Sequence, residues 1–146
     1  MTYVIEKDFT FSASHEIGQL PSSHKCSRMH GHNYIVRVRL TSETLDKYGF
    51  VLDYGELAPF QEWIDRLLDH RHLNTTISGQ TVTAEALARY LASVVPQVVE
   101  LPKGVAVAAV GVSETPKTWA WWMIPEPAEP KSGFAAWLNA AMRTYT

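Results

Sequence analysis

From His30 to Leu40 the sequence alternates with period two: His30, His32, Tyr34, Val36, Val38 and Leu40 fall on one parity, Arg37 and Arg39 on the other. An extended strand sends alternate residues to opposite faces, and β-branched and aromatic residues favour it. A strand over about His32 to Ser42 is therefore expected, with both imidazoles leaving its apolar face. Arg37 and Arg39 would mark a solvated face or a basic rim. A second alternating run, about residues 2 to 14, puts Tyr3, Ile5, Phe9, Phe11, Ala13 and His15 on one parity, broken only by Lys7. It delivers a third histidine to an apolar face.

Three imidazoles with an open fourth position are the ligand set of a tetrahedral zinc site that binds substrate. Calcium and magnesium prefer oxygen, so His15, His30 and His32 point to zinc. A His-x-His pair alone is as often structural as ligating. Cys26, the chain's single cysteine, lies four residues before His30. Beside a cation, with Lys25 and Arg28 flanking it, it is a candidate reactive thiolate; the alternative is a small buried hydrophobe. One cysteine excludes an intrachain disulfide and a multi-cysteine metal cluster.

The 146 residues, 46% hydrophobic and 19% charged, suit one domain with a real core, and the net charge of −2 gives no reason to expect nucleic-acid binding. Glu6, Lys7 and Asp8 interrupt the N-terminus, and no apolar run approaches the ~20 residues of a membrane span. A soluble, cytoplasmic protein is expected. Pro21-Ser22-Ser23 marks a loop, and Phe50-Val51-Leu52 reads as a short extended piece ending at Asp53. Asp53 is a plausible N-cap for a helix carrying Leu57, Phe60, Ile64, Leu67 and Leu68, ending at Asp69 to Asn74. A second helix starts near Thr83, with Glu85 in its first turn, and continues to Pro96. Strands follow at Val105 to Glu114 and Thr118 to Ile124. The order strand, strand, helix, helix, strand, strand predicts an α+β fold: an antiparallel sheet covered on one face by two helices. Residues 125–133 form a Pro-rich linker, and Phe134, Trp137, Leu138 and Met142 fit a short C-terminal amphipathic helix.

Asp69-His70 ends the first helix, where the looser geometry lets an aspartate orient the imidazole beside it. His72 competes for that role, and an isolated Asp-His pair is most often simply exposed. Cys26, Asp69 and His70 would make a proton-transfer set if the fold joined them. Glu114 ends an otherwise apolar strand; a carboxylate there either grips an amidine-like ligand edge or is an ordinary loop residue.

These motifs together resemble the 6-pyruvoyl-tetrahydropterin synthase and 6-carboxytetrahydropterin synthase family, through F-S-A-S-H at 11–15, C-S-R-M-H-G-H-N-Y at 26–34, D-Y-G-E-L at 53–57, L-D-H-R-H-L-N at 68–74, T-A-E at 83–85 and S-E-T at 113–115. The resemblance implies a T-fold catalytic domain over 1–124, and a homohexamer of two trimers with interfacial active sites. It implies zinc on His15, His30 and His32, catalysis by Cys26, Asp69 and His70, a pterin-anchoring role for Glu114, and Thr83 and Glu85 near the pterin pocket. Three residues between Cys26 and His30 resemble the bacterial carboxytetrahydropterin synthases of queuosine and deazapurine pathways. These are lyases that convert 7,8-dihydroneopterin triphosphate to 6-carboxytetrahydropterin, acetaldehyde and triphosphate. Lys25 and Arg28 are candidates for the triphosphate. The alternatives are pyruvoyl-tetrahydropterin synthase activity, which keeps the side-chain carbons, and a non-catalytic zinc- and pterin-binding protein.

Overall fold

The computed structural model describes residues 1–125. Strand β1 (Tyr3–His15) pairs antiparallel with β2 (His30–Ser42) in a register that sets Phe9 opposite Val36, Phe11 opposite Tyr34, Ala13 opposite His32 and His15 opposite His30. Because the alternation is in phase on both strands, Phe9, Phe11, Ala13, His15, Tyr34, Val36, Val38 and Leu40 are all buried on one face. Helices α1 (Ala58–Leu67) and α3 (Ala84–Val98) supply the other half of that core. Phe60 of α1 meets Phe9 edge-on at 5.0 Å, and each such side chain fully buried contributes roughly 1.5–3 kcal/mol. Strand β4 (Ala106–Thr115) pairs with β2, and β5 (Thr118–Met123) with β4, both antiparallel.

The strand order is β3-β1-β2-β4-β5, where β3 is the two-residue strand Arg71–His72 that was not expected. His70 takes a left-handed φ of 55°, which turns the chain after α1 so that Arg71–His72 (β3) pairs in parallel with Ala13–Ser14. A four-residue helix α2 (Leu73–Thr76) follows. Asn74 there accepts from the Glu16 N–H and donates to the Glu16 carbonyl, carrying the β1 edge contact one step further with a side chain. The sheet is thus mixed, not wholly antiparallel, because a two-residue strand is too short to leave a periodic signal.

Two local expectations also change. Phe50-Val51-Leu52 is not extended: Asp46 Oδ1 accepts from the Tyr48 and Phe50 N–H groups, curling the loop through Gly49 at φ 89° while Val51 and Leu52 stay buried. Asp53 does cap, accepting from the Gly55 N–H at 2.8 Å, but what it caps is a 3-10 turn (Tyr54–Leu57) that precedes α1. Thr83 caps α3 through its hydroxyl, which accepts from the Ala86 N–H, and α3 runs two residues beyond Pro96. The Pro-rich linker beyond residue 125 and the amphipathic segment at Phe134 to Met142 lie outside the described residues.

The opposite face of the sheet is polar and paired. Arg37 donates to both Asp8 carboxylate oxygens at 2.7 and 2.9 Å, and Arg39 to Glu6 at 2.8 Å. Trp119 and Trp121 of β5 stack at 5.7 Å and cover the two guanidinium groups at 4.7 and 4.1 Å. Trp121 can lie flat there because Gly111 beneath it lacks a side chain; a Cβ would stand 2.9 Å from the indole.

Candidate metal centre

At the end of the sheet where β1 stops and β2 begins, the three histidines converge. The ligand nitrogens of His15, His30 and His32 lie within 4.8 Å of one another, with ring centroids 4.6 to 5.1 Å apart. The backbone decides which nitrogens face inward. His15 Nδ1 is 2.7 Å from the Val82 carbonyl and His30 Nδ1 is 2.7 Å from the Arg28 carbonyl. A carbonyl only accepts, so in neutral rings both protons sit on Nδ1 and both Nε2 atoms present bare lone pairs. Those two Nε2 atoms stand 3.0 Å apart. Two acceptors cannot bond each other; a cation between them reconciles the approach.

His32 supplies the third observation. Its Nε2 is buried without a hydrogen-bond partner, one of two such side-chain atoms among the described residues. An orphaned buried nitrogen costs about 1–3 kcal/mol unless something satisfies it. Burial pushes the His32 imidazole below its ordinary value; Glu114 opposes this, while His15 and His30 add to it. Three converging imidazole nitrogens, two of them oriented by backbone carbonyls on the far side of the ring, fit zinc.

Glu114 emerges from β4 beside Tyr34, since its neighbour Ser113 pairs with Ile35. Its carboxylate oxygens lie 3.7 Å from His15 Nε2 and 3.9 Å from His32 Nε2. Glu114 thus stands at the strand end, close to the histidine cluster and on the wall of the groove it borders. A groove of about 680 Å³ opens here, with His32, Glu114, Asp69, Ser12 and Asn33 on its walls.

Asp69 and His70 form a braced pair. Asp69 Oδ1 accepts from the Ser12 N–H at 2.8 Å, Oδ2 accepts from His70 Nδ1 at 2.8 Å, and the His70 N–H donates to the Ser12 carbonyl at 2.6 Å. The Ser12 amide, then the His70 ring, hold the Asp69 carboxyl below its usual value. With Nδ1 so engaged, His70 presents Nε2 outward, and the side chain is 82% exposed. His72 instead bonds Ser14 Oγ at 3.0 Å, so the structure separates the two competing histidines. Cys26 is half-buried in a 3-10 turn (Lys25–Ser27) whose cap is His24 and whose carbonyl accepts from Ile17. No hydrogen bond among the described residues links that turn to Asp69 or His70. Lys25 and Arg28 are exposed, and Glu85 stands exposed in the first turn of α3. The role of Val82 was not legible, as a carbonyl carries no sequence signature; Tyr34 shares its parity with His32, a signal that was present.

A family profile described as 6-pyruvoyl tetrahydropterin synthase matches residues 4–124. A Synechocystis protein named 6-carboxy-5,6,7,8-tetrahydropterin synthase is 35% identical over 95 residues, which span 61% of this chain and 71% of that protein. An Archaeoglobus fulgidus protein, named putative 6-carboxy-5,6,7,8-tetrahydropterin synthase, is 31% identical over 111 residues, 76% of this chain and 87% of that one. The solved 6-pyruvoyl tetrahydropterin synthase of Caenorhabditis elegans superposes with a TM-score of 0.74 at 25% identity, covering 86% of this chain and 97% of its own.

Proposed function

Given that the chain belongs to the 6-pyruvoyl tetrahydropterin synthase family, a family of lyase-type enzymes with the T-fold, we propose that it converts 7,8-dihydroneopterin triphosphate and one water to 6-carboxytetrahydropterin, acetaldehyde and triphosphate. Curated relatives named for the carboxy product support that choice over the pyruvoyl one. The observation that carries the reading is the convergence of three imidazole nitrogens, one of them orphaned, with a carboxylate within 4 Å.

His15, His30 and His32 would hold zinc, which would supply Lewis-acid chemistry to the substrate side chain. Cys26, as thiolate, takes a proton from one of the side-chain carbons. His70, its ring fixed by Asp69, returns a proton from Nε2 to carbon or to the departing oxygen. Glu114 pairs with the amidine edge of the pterin through charge-assisted hydrogen bonds and fixes the ring, with Thr83 and Glu85, at the start of α3, near the pterin pocket. Lys25 and Arg28 balance the triphosphate. No hydrogen bond among the described residues links Cys26 to the exposed His70 within one subunit, and we assign the two to an interface between copies in a homohexamer. No helix among the described residues is long and apolar enough to cross a membrane, in keeping with a cytoplasmic role in queuosine or another deazapurine pathway.

Incubating the zinc-loaded protein with dihydroneopterin triphosphate and weighing the product tests this directly. A carboxytetrahydropterin mass is expected, with turnover in Cys26→Ala lower by roughly 10²–10⁴-fold, the span of a lost general base, at unchanged zinc content. A pyruvoyl product moves the chain to the other branch of its family. Near-native turnover in Cys26→Ala removes Cys26 from the mechanism.

A further inference from the structure

Beside β3 lies a second groove of about 490 Å³, within the ~300–1,000 Å³ of small-ligand sites. It shares Ser12, His32 and Asn33 with the groove at the metal centre but has a wall of its own, His70, Arg71 and His72. The strand register builds it. Ser12 stands opposite Asn33, and Ser14 stands opposite Gly31 on one side and His72 on the other. Gly31 contributes no side chain, which leaves room between them.

The walls carry hydrogen-bond donors and no carboxylate. Ser12 donates to Asn33 Oδ1 at 2.7 Å, so both N–H groups of that amide remain for a ligand. Ser14 Oγ and His72 Nδ1 lie 3.0 Å apart. If the hydroxyl donates, His72 keeps an Nε2–H; if the ring donates, Ser14 keeps its O–H. Either way one donor of the pair is left over. Arg71 is exposed and makes no ion pair among the described residues. A guanidinium with converging N–H and O–H donors suits phosphoryl oxygens, through charge-assisted and bidentate bonds. The larger cavity at the far end of β2, about 860 Å³, has Asp46, Asp53, Glu56 and Glu100 on its walls and repels an anion.

His70 ties the groove to the reaction. Its Nδ1 is held by Asp69, and its Nε2 is the atom given above to the departing oxygen. Arg71 and His72 follow it directly in the chain, so whichever copy lends His70 also brings this groove up to the leaving group.

We infer that the groove walled by Ser14, Asn33, Arg71 and His72 binds the polyphosphate chain of the substrate and receives the triphosphate as it departs. The inference rests on the substrate reading above, but its test does not, because inorganic triphosphate alone is the probe. Binding to the full chain is followed by titration calorimetry, with zinc content measured before and after, since polyphosphate also chelates zinc. Arg71→Ala and Asn33→Ala should each bind triphosphate roughly tenfold more weakly, as for a lost hydrogen bond to a charged group. Both side chains are exposed, so both variants should fold. Arg66→Ala, which removes an exposed arginine of α1 outside the groove, should bind as wild type does. Equal losses in Arg71→Ala and Arg66→Ala mean diffuse charge attraction, and undiminished binding in Arg71→Ala means that triphosphate sits elsewhere or only strips zinc. Either result overturns the inference, as does a wild type that binds none at millimolar triphosphate. A protein that binds triphosphate through Arg71 yet leaves dihydroneopterin triphosphate unchanged supports the groove while overturning the proposed reaction.

Discussion

On one face β2 carries Arg37 and Arg39, each guanidinium matched by a carboxylate on β1 and roofed by an indole from β5. On the other, within the same strand, it carries His30, His32 and Tyr34, where a lone-pair nitrogen and a hydroxyl are buried without partners. Alternation gives both faces equal access to polar side chains, yet one is closed and the other is left open. The lesson is that a polar group's satisfaction, more than its charge, separates structure from function here. Arg37 and Arg39, read from the sequence as a solvated face or a basic rim, are paired with Asp8 and Glu6. The unpartnered groups of the histidine face carry a local cost in stability that a bound ligand would remove.

That contrast is most easily broken at the histidine end. His32→Ala should lose its metal and all measurable turnover while remaining folded, since His32 is only partly buried; a full zinc complement by elemental analysis would sink the three-histidine assignment. A smaller effect is expected from the closed face. Gly111→Ala would drive a methyl into the Trp121 indole, and forced overpacking of that kind costs about 1–3 kcal/mol, read as a lower denaturation midpoint at unchanged zinc affinity. An undisturbed midpoint would mean that the aromatic roof is not held against the sheet. The smallest concerns pH. The hydrogen bond from Arg37 holds the Asp8 carboxyl below its ordinary 3.8, despite some burial that opposes it. An unfolded chain then binds the proton first, so the stabilisation from this pair is present above pH 3.8 and lost as pH falls through the lower folded value. With both side chains partly exposed the effect is modest. Acid unfolding of Asp8→Asn should show a shallower decline below pH 3.8 than wild type, and identical curves would remove the pair from the account.

Much of the architecture was legible, for identifiable reasons. The period-two runs around Phe9 to His15 and Tyr34 to Leu40 survive in the fold because a buried face penalises any register slip. Asp53 and Thr83 both cap, as short polar side chains before apolar helical runs do. What stayed hidden was irregular: the loop curled around Asp46, and the two residues of β3, which depend on a left-handed turn at His70 that no propensity announces. Within the site, three histidines on one face followed from parity alone, whereas the approach of Glu114 to within 4 Å of two of them carried no signal in the sequence.

By itself, then, the sequence determined two alternating strands, the face on which His15, His30 and His32 emerge, two amphipathic helices and the family these motifs define. Only the tertiary structure decided that Val82, 67 residues from His15 in the chain, sets that ring's tautomer, and that Ser12 braces Asp69 across 57 residues. The same holds for Glu114 and Tyr34, which reach one another's neighbourhood from different strands. Periodicity reports what a residue faces within its own element; which distant carbonyl or carboxylate meets it there depends on how the elements pack.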